Sequence, residues 1–204
     1  MNKSTHLFDT SKYIRRNLPE QIDFLESLKN ELPFFREILE KGYSMTIEER
    51  KNKEKSFLDK NWEAITMSGN IKGLLCREYP ENIKIDKNGR FYFEKSSRYF
   101  IYFKKLNRDY LPSNISTEYT QKLYGQYALP SEKPTPIVFV GYQVDNSWEN
   151  LIGCYAISVK NEEKLWISDL PKIDNINLKY FGTETIIQTD DLSSMLKIRQ
   201  NKSL

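Results

Sequence analysis

Carboxylates with a lysine close by are the side chains of this sequence that could carry out catalysis. A metal-dependent nuclease holds Mg²⁺ with two or three acidic groups at one end of a sheet, often with a lysine beside them. Asp86 and Glu94 flank an Asn-Gly pair, and Lys95 follows Glu94 directly. Because neighbouring strand residues point to opposite faces, Glu94 and Lys95 could share one site only if a bulge interrupted the strand.

A second group consists of Asp145 and Glu149, which precede a predicted strand that ends in Lys160. This group lacks an acid two positions before the lysine, where Ser158 stands. The alternative for both groups is ordinary solvation at turns and strand ends, where charged side chains are common. A pair for general acid-base catalysis cannot be singled out among 28 acidic residues.

Other catalytic and metal-binding patterns are missing from the sequence. The single histidine, His6, lies in a polar N-terminal segment, so catalytic triads and histidine-rich metal sites have no support. No glycine-rich phosphate-binding motif occurs either. Cys76 and Cys154 lie far apart in apolar surroundings, and we expect both to be buried free thiols in a reducing compartment. We predict no cofactor and no metal.

The segment RYFIYFKK, residues 98–105, combines basic and aromatic residues and allows two interpretations. Exposed aromatic rings flanked by Arg and Lys are typical of sheets that bind single-stranded nucleic acid. The residues that would bind are Arg98, Tyr99, Phe100, Tyr102, Lys104, Lys105 and Arg108. The alternative is a core strand, with helices on one face and the tyrosine-rich segment 105–135 on the other. We favour the core strand.

Length and composition indicate one globular domain over residues 1–204. The net charge is +3, from 31 basic and 28 acidic residues, whereas a dedicated nucleic-acid-binding protein usually has a clear basic excess. Hydrophobic residues make up 39% of the chain and aromatic residues 13%, which argues against disorder. No stretch approaches the roughly 20 apolar residues of a membrane span. We therefore expect a cytoplasmic protein with no membrane partner.

The N-terminal third, residues 18–78, has helical patterning. A helix is predicted to follow Leu18-Pro19 with an apolar stripe that includes Ile22, Leu25 and Leu28, and the pattern restarts at Pro33 and ends at Gly42. Thr46 and Glu49 form a capping-box pattern that predicts a further helix start. That helix is expected to end at Gly69-Asn70. Its predicted buried face, which we expect to cover the sheet, consists of Phe57, Leu58, Trp62 and Ile65.

A period of two replaces the helical period in residues 83–170. Asn88-Gly89 predicts a hairpin, because this pair accepts the positive φ of a tight turn. A third strand ends near residue 104, a Pro/Tyr-rich insert with one helix capped by Ser116 follows, and PIVFVGYQV, LIGCYAISV and KLWISDL form three more strands. Residues 171–189 are expected to be irregular, and 190–200 to form a C-terminal helix. The prediction is an α+β fold, with a helical third packed on a mostly antiparallel sheet of about six strands.

The missing catalytic motifs and the aromatic-rich sheet favour a non-enzymatic, macromolecule-binding or regulatory accessory protein. The composition is typical of an AT-rich genome, which fits a phage or mobile element, and the expected partner is a protein. Nucleic-acid binding through the strand 98–105 and a Mg²⁺-dependent nuclease activity are the alternatives.

Overall fold

The computed structural model describes residues 10–54, 61–86, 88–96, 98–113, 117–161, 163–173, 179–181 and 184–186. His6, Phe57, Leu58, Ser116 and the expected helix 190–200 lie outside the described residues. In chain order, the described elements are β1 (Ile14–Arg15), α1 (Gln21–Ser27), α2 (Leu32–Lys51), α3 (Trp62–Glu78), β2 (Ile83–Ile85), β3 (Phe91–Lys95), β4 (Tyr99–Lys105), α4 (Glu118–Tyr124), β5 (Tyr127–Ala128), β6 (Ile137–Val144), β7 (Leu151–Lys160), β8 (Glu163–Asp169), β9 (Lys179–Phe181) and β10 (Glu184–Ile186).

The α+β prediction is confirmed. Six strands form one sheet in the order β2-β3-β4-β6-β7-β8, and every neighbouring pair is antiparallel except β4 and β6. The predicted hairpin joins β2 and β3, and Gly89 in its turn has a φ of 75°. Because β4 and β6 run parallel, the chain between them must cross one face of the sheet. We call residues 106–136 the crossover segment.

Each face of the sheet has its own apolar cluster. On one face, helices α1–α3 supply buried residues such as Phe24 and Phe35, which pack with Phe93 and Ile101 of the sheet. On the other face, the crossover segment supplies Leu123 and Tyr124, which pack over Phe139 and Ile157. Strand β4 therefore lies between two covered faces, and Tyr99, Ile101, Tyr102 and Phe103 are all buried.

The predicted helix boundaries at residues 42–49 are wrong, because α2 continues through them to Lys51. Gly42 does not end the helix; a Cβ atom there would lie 3.1 Å from Cγ1 of Ile71, so glycine lets α2 and α3 approach closely. Thr46 is not a cap: its hydroxyl donates to the Gly42 carbonyl at 2.8 Å and accepts from Asn70 Nδ2 at 3.2 Å. Asn70 also donates to Glu49 at 3.1 Å, so the predicted capping pair joins two helices instead.

The buried face of α3 also differs from the predicted one. The helix continues past Gly69-Asn70 to Glu78, and its buried residues are Met67, Ile71, Leu74 and Leu75. Ile65 is 66% exposed and Trp62 is half-buried. Ile22 of α1 is likewise 57% exposed, although Leu25 and Leu28 are buried as predicted. The helices do cover the sheet, but through faces rotated from those that the sequence indicated.

Smaller expectations were also corrected. Helix α4 has Thr117 as its N-cap, and Thr117 and Thr120 form a reciprocal capping box. Strands β9 and β10 pair within a stretch that was expected to be irregular. Cys154 is buried, but Cys76 is exposed. Within the described part of the chain, no helix is long and apolar enough to cross a bilayer.

Candidate binding pocket

An open pocket of about 440 Å³ lies between the sheet and the crossover segment, and we call it the tyrosine pocket. Its walls come from residues 10–17, which we call the lead-in, and from the β2–β3 hairpin, strand β4 and the crossover segment. The lining residues are Tyr13, Arg16, Asp86, Tyr92, Phe100, Tyr102, Tyr119, Lys122, Leu123, Tyr127, Leu129, Glu132 and Lys133. Its size falls within the range of about 300 to 1,000 Å³ that is usual for small-molecule sites.

The lead-in is held at the pocket by Arg16. Strand β1 pairs with β5, and the Arg16 guanidinium donates to the carbonyls of Tyr127 at 3.1 Å and Thr135 at 3.0 Å. It also forms an ion pair with Glu132 at 3.2 Å. Burial lowers the pKa of Arg16, and the charge of Glu132 opposes that shift. Most of its N–H groups are already engaged, so Arg16 acts as a structural clamp rather than as a ligand-binding cation.

A chain of hydroxyl contacts forms the floor of the pocket. The phenol oxygens of Tyr102 and Tyr119 lie 3.3 Å apart, and the Tyr119 hydroxyl donates to the Asp86 carboxylate. Burial, together with hydrogen bonding to Asp86, raises the pKa of Tyr119 to about 12. Burial raises the pKa of Tyr92 and Tyr102 as well. These phenols therefore remain neutral donors at physiological pH.

Cations already cover one face of several rings around the pocket. Each pair places a Lys or Arg charge within about 6 Å of a ring centre, which is the range of favourable cation–π contact. The pairs are Arg15 with Tyr127 at 4.7 Å, Arg16 with Phe100 at 5.4 Å, Lys122 with Tyr13 at 4.3 Å and Arg90 with Tyr119 at 4.2 Å.

The predicted nucleic-acid-binding residues do not share one surface. Tyr99 lies on the helix-covered face, where its hydroxyl donates to Asp23, and Arg98 pairs with the same carboxylate. Lys105 lies on that face too, with its ammonium 4.5 Å from the centre of the Trp148 ring.

The remaining members of that set lie on the crossover face or beyond the strand. Phe100 and Tyr102 line the tyrosine pocket, Lys104 is half-buried further along β4, and Arg108 is exposed in the turn that follows. The strand is thus not an open platform, but two of its aromatic residues do reach an open pocket.

The first carboxylate group is divided between the two faces of the sheet. Asp86 lies at the pocket, and Glu94 pairs with Phe100 across β3 and β4 on the same face. Lys95 lies on the opposite face, where it forms an ion pair with Glu31. No bulge in this pair brings Lys95 to the side of Glu94.

The second carboxylate group is separated along β7. Asp145 precedes this strand and Lys160 ends it, so a 10-residue strand of about 30 Å stands between them. Asp145 closes its own turn, accepting from Asn150 Nδ2 at 2.7 Å and from the Glu149 amide at 2.8 Å. The hydrogen bond from Asn150, followed by that from Glu149, lowers the pKa of Asp145.

The comparisons with known proteins give no further guide to the site. The chain matches no protein-family model, no curated protein and no solved structure. Across the described ranges, no three His, Cys, Asp or Glu side chains come together as a metal site requires.

Sequence reasoning missed the part of the pocket that the lead-in provides. The adjacent arginines Arg15 and Arg16 could have indicated it. Two long basic side chains close to Tyr13 can form both ion pairs and cation–π contacts. The tyrosines of the crossover segment, in contrast, already indicated packing on the sheet.

Proposed function

We propose that this chain is a non-enzymatic binding protein whose ligand enters the tyrosine pocket. The observation that carries the proposal is the composition of its walls, in which five tyrosines and Phe100 surround one opening. Aromatic walls with polar tips bind planar groups by stacking and fix their orientation by hydrogen bonding. The two carboxylate groups that the sequence suggested do not meet their lysines, because Lys95 lies across the sheet from Glu94 and Lys160 lies at the far end of β7 from Asp145.

The ligand is a planar group that carries negative charge, because the pocket lining contains three basic residues, Arg16, Lys122 and Lys133, against two acidic ones, Asp86 and Glu132. Several of the rings already have an internal cation on one face, so a cationic ligand would meet like charge at close range. Lys133 adds an exposed positive charge at the rim. A nucleotide unit of a single-stranded nucleic acid combines a flat base with an anionic group, and it is the ligand class that we propose.

Fluorescence anisotropy with short single-stranded and duplex oligonucleotides at two salt concentrations tests this function. Stacking of one base on an aromatic side chain is worth about 1 to 3 kcal/mol, so Tyr92→Leu should weaken binding by roughly 5-fold to 150-fold. Tyr43→Leu is the matched control, since Tyr43 is a half-buried tyrosine on α2, at the helix-covered face. Absence of binding by the unmodified protein at low salt ends the proposal.

A second candidate is a regulatory protein that acts through a protein partner held on the outer face of α3. Ile65 is 66% exposed on this helix, and nothing lies within 4 Å of a Cβ placed on Gly69 or Gly73. A helix face with one apolar side chain and two glycines allows another helix to pack closely. Pull-down should lose its partner with Ile65→Lys and keep it with Leu165→Lys, which alters an exposed leucine on β8.

A further inference from the structure

Two basic residues belong to the crossover face at the hairpin end of the sheet: Arg90, directly before β3, and Lys104 on β4. The antiparallel register pairs Phe93 with Ile101. Continued towards the hairpin, this register places Arg90 opposite Lys104. Like charges in directly opposed positions destabilise a sheet. The charge of Arg90 does act on Lys104, whose pKa is lowered first by burial and then by that guanidinium, while the charge of Asp86 opposes the shift to a lesser extent.

Neither basic side chain has an acidic partner in the described part of the chain. The Arg90 Nη1 atom is buried and lacks a hydrogen-bond partner there. The ion pairs of the described residues include neither Arg90 nor Lys104. Buried polar groups normally have a hydrogen-bond partner in the protein or in ordered water, so this Nη1 donor can accept a partner from outside the chain.

The carboxylate of the hairpin, Asp86, already has several hydrogen-bond partners. Asp86 Oδ1 accepts from the amides of Asn88 at 2.8 Å and Arg90 at 3.0 Å, while Oδ2 accepts from the Tyr119 hydroxyl. Asp86 therefore shapes the hairpin and holds Tyr119, and it does not neutralise the two cations by direct pairing.

The Arg90 guanidinium makes a cation–π contact with Tyr119. Its central carbon lies 4.2 Å from the centre of the Tyr119 ring, and the Nη1 donor of the same guanidinium lacks a hydrogen-bond partner among the described residues. Tyr119 also lines the tyrosine pocket. Tyr119 therefore contacts the Arg90 guanidinium and also lines the pocket, which links the two sites.

We propose that Arg90 and Lys104 form an anion subsite that binds a phosphate group. A guanidinium offers a planar fork of donors to phosphate oxygens, and an ammonium acts as a compact second charge. An anion would relieve both the mutual repulsion and the unpaired buried donor. In the full site, which rests on the proposed function, this phosphate belongs to the nucleotide whose base lies in the tyrosine pocket.

The test uses the full chain, with thermal unfolding measured at constant ionic strength in millimolar inorganic phosphate and in chloride alone. Phosphate should raise the melting temperature of the unmodified protein. Lys104→Met keeps the aliphatic stem but removes the charge, so it should melt higher than the unmodified protein in chloride and gain nothing from phosphate. Its Kd for phosphate should rise roughly 10-fold or more.

Matched variants separate this site from general salt effects. Lys172→Met removes an exposed lysine elsewhere and should leave the phosphate response intact. Arg90→Gln gives an independent check at the other cation, and it should also lose the response. An unmodified protein that melts at the same temperature in both salts overturns the proposal, as does a Lys104→Met variant that keeps the phosphate shift.

The proposal for the anion subsite and the proposal for the tyrosine pocket can be tested independently. Binding of inorganic phosphate, of a nucleoside and of the corresponding nucleoside 5′-monophosphate should be compared for the unmodified protein and for Tyr92→Leu. Tyr92→Leu should keep the phosphate response and lose affinity for the monophosphate. If phosphate binds but the nucleoside adds no affinity, the anion subsite stands and the proposed pocket function fails.

Discussion

The hydroxyl oxygens of Tyr102 and Tyr119 lie 3.3 Å apart, and this contact joins the central strand β4 to helix α4 of the crossover segment. Tyr119 in turn donates to Asp86 in the β2–β3 hairpin. Three segments that are distant in sequence therefore meet through two phenols and one carboxylate. The contact keeps the floor of the tyrosine pocket in place and couples it to the ionisation of the phenols.

Tyr119→Phe should make unfolding less sensitive to alkaline pH. The pKa of Tyr119 is raised from 10.0 to about 12 by burial and by its hydrogen bond to Asp86. A group whose pKa is raised in the folded state stabilises the fold fully below its unfolded pKa. That contribution is lost as the pH rises from 10.0 towards about 12. Urea unfolding midpoints across this pH range should fall less steeply in the variant.

Measurements at lower pH, where no tyrosine ionises, provide the control for the same variant. Below the pKa of an unfolded tyrosine, both proteins keep a neutral side chain, and the variant should differ only by the lost hydroxyl contacts with Asp86 and Tyr102, about 2 to 3 kcal/mol. A constant difference in free energy of unfolding throughout the alkaline range would contradict the assignment of this titration to Tyr119.

Gln126→Ala should destabilise the fold strongly because this side chain joins the crossover segment to two strands. Gln126 is fully buried; its Nε2 donates to the carbonyls of Ile137 at 2.9 Å and Val159 at 3.2 Å, and its Oε1 accepts from the Ile137 amide at 2.9 Å. Its removal leaves buried backbone groups without partners. We expect a loss on the order of 3 kcal/mol in the free energy of unfolding, measured in urea.

Gln21→Ala is the control for this prediction. Gln21 is half-buried and makes one side-chain bond to a strand, to the Ile167 carbonyl at 3.3 Å. Its replacement should cost less than about 1 kcal/mol. Equal losses for the two variants would show that the buried position of Gln126 has no special effect.

Local signals in the sequence were sufficient for the sheet but not for its connections. Asn88-Gly89 determined the first hairpin because turn formation depends on the turn residues themselves, and Gly89 has the expected positive φ. Strict alternation also placed Phe100 and Tyr102 on one face of β4. The parallel pairing of β4 with β6 depends on how the whole crossover segment packs, which no short pattern contains.

The helix ends and half of the pocket depended on distant contacts. Gly42 reads as a stop signal, yet it lies inside α2, where Ile71 of α3 occupies the space that a side chain would need. The two arginines of the lead-in find their partners more than a hundred residues later; Arg15 Nη1 bonds the Gly125 carbonyl at 3.2 Å across a separation of 110 positions. Contacts between residues so far apart leave no periodic pattern in the sequence.

Phe35→Ala should cost far more stability than Trp62→Ala, although the sequence indicated Trp62 as the core residue. Phe35 is fully buried, with ring centres 5.0 Å from Phe93 and 5.3 Å from Phe103. Its removal should cost about 3 to 5 kcal/mol. Trp62 is half-buried and carries Lys53 at 4.7 Å from its ring, so we expect a loss of about 1 kcal/mol.

Thermal unfolding of the two variants checks this order. A melting temperature that falls further for Trp62→Ala than for Phe35→Ala would place the main core contacts of the helices at the start of α3, and would restore the interpretation based on sequence alone.

Two glycine replacements should change stability in opposite directions. A Cβ at Gly141 would lie 2.5 Å from Cγ of Leu106 and 2.8 Å from the Lys104 carbonyl oxygen, so Gly141→Ala must displace the start of the crossover segment. Such overpacking costs about 1 to 3 kcal/mol.

Gly73 is exposed in α3 with nothing within 4 Å of a Cβ, so Gly73→Ala should stabilise the helix by about 0.5 to 1 kcal/mol. Free energies of unfolding in urea measure both effects, and a destabilised Gly73→Ala would contradict the open surroundings of that residue. The same stable variant also tests the second candidate function, because a methyl group on this face should weaken capture of a partner helix without any loss of fold.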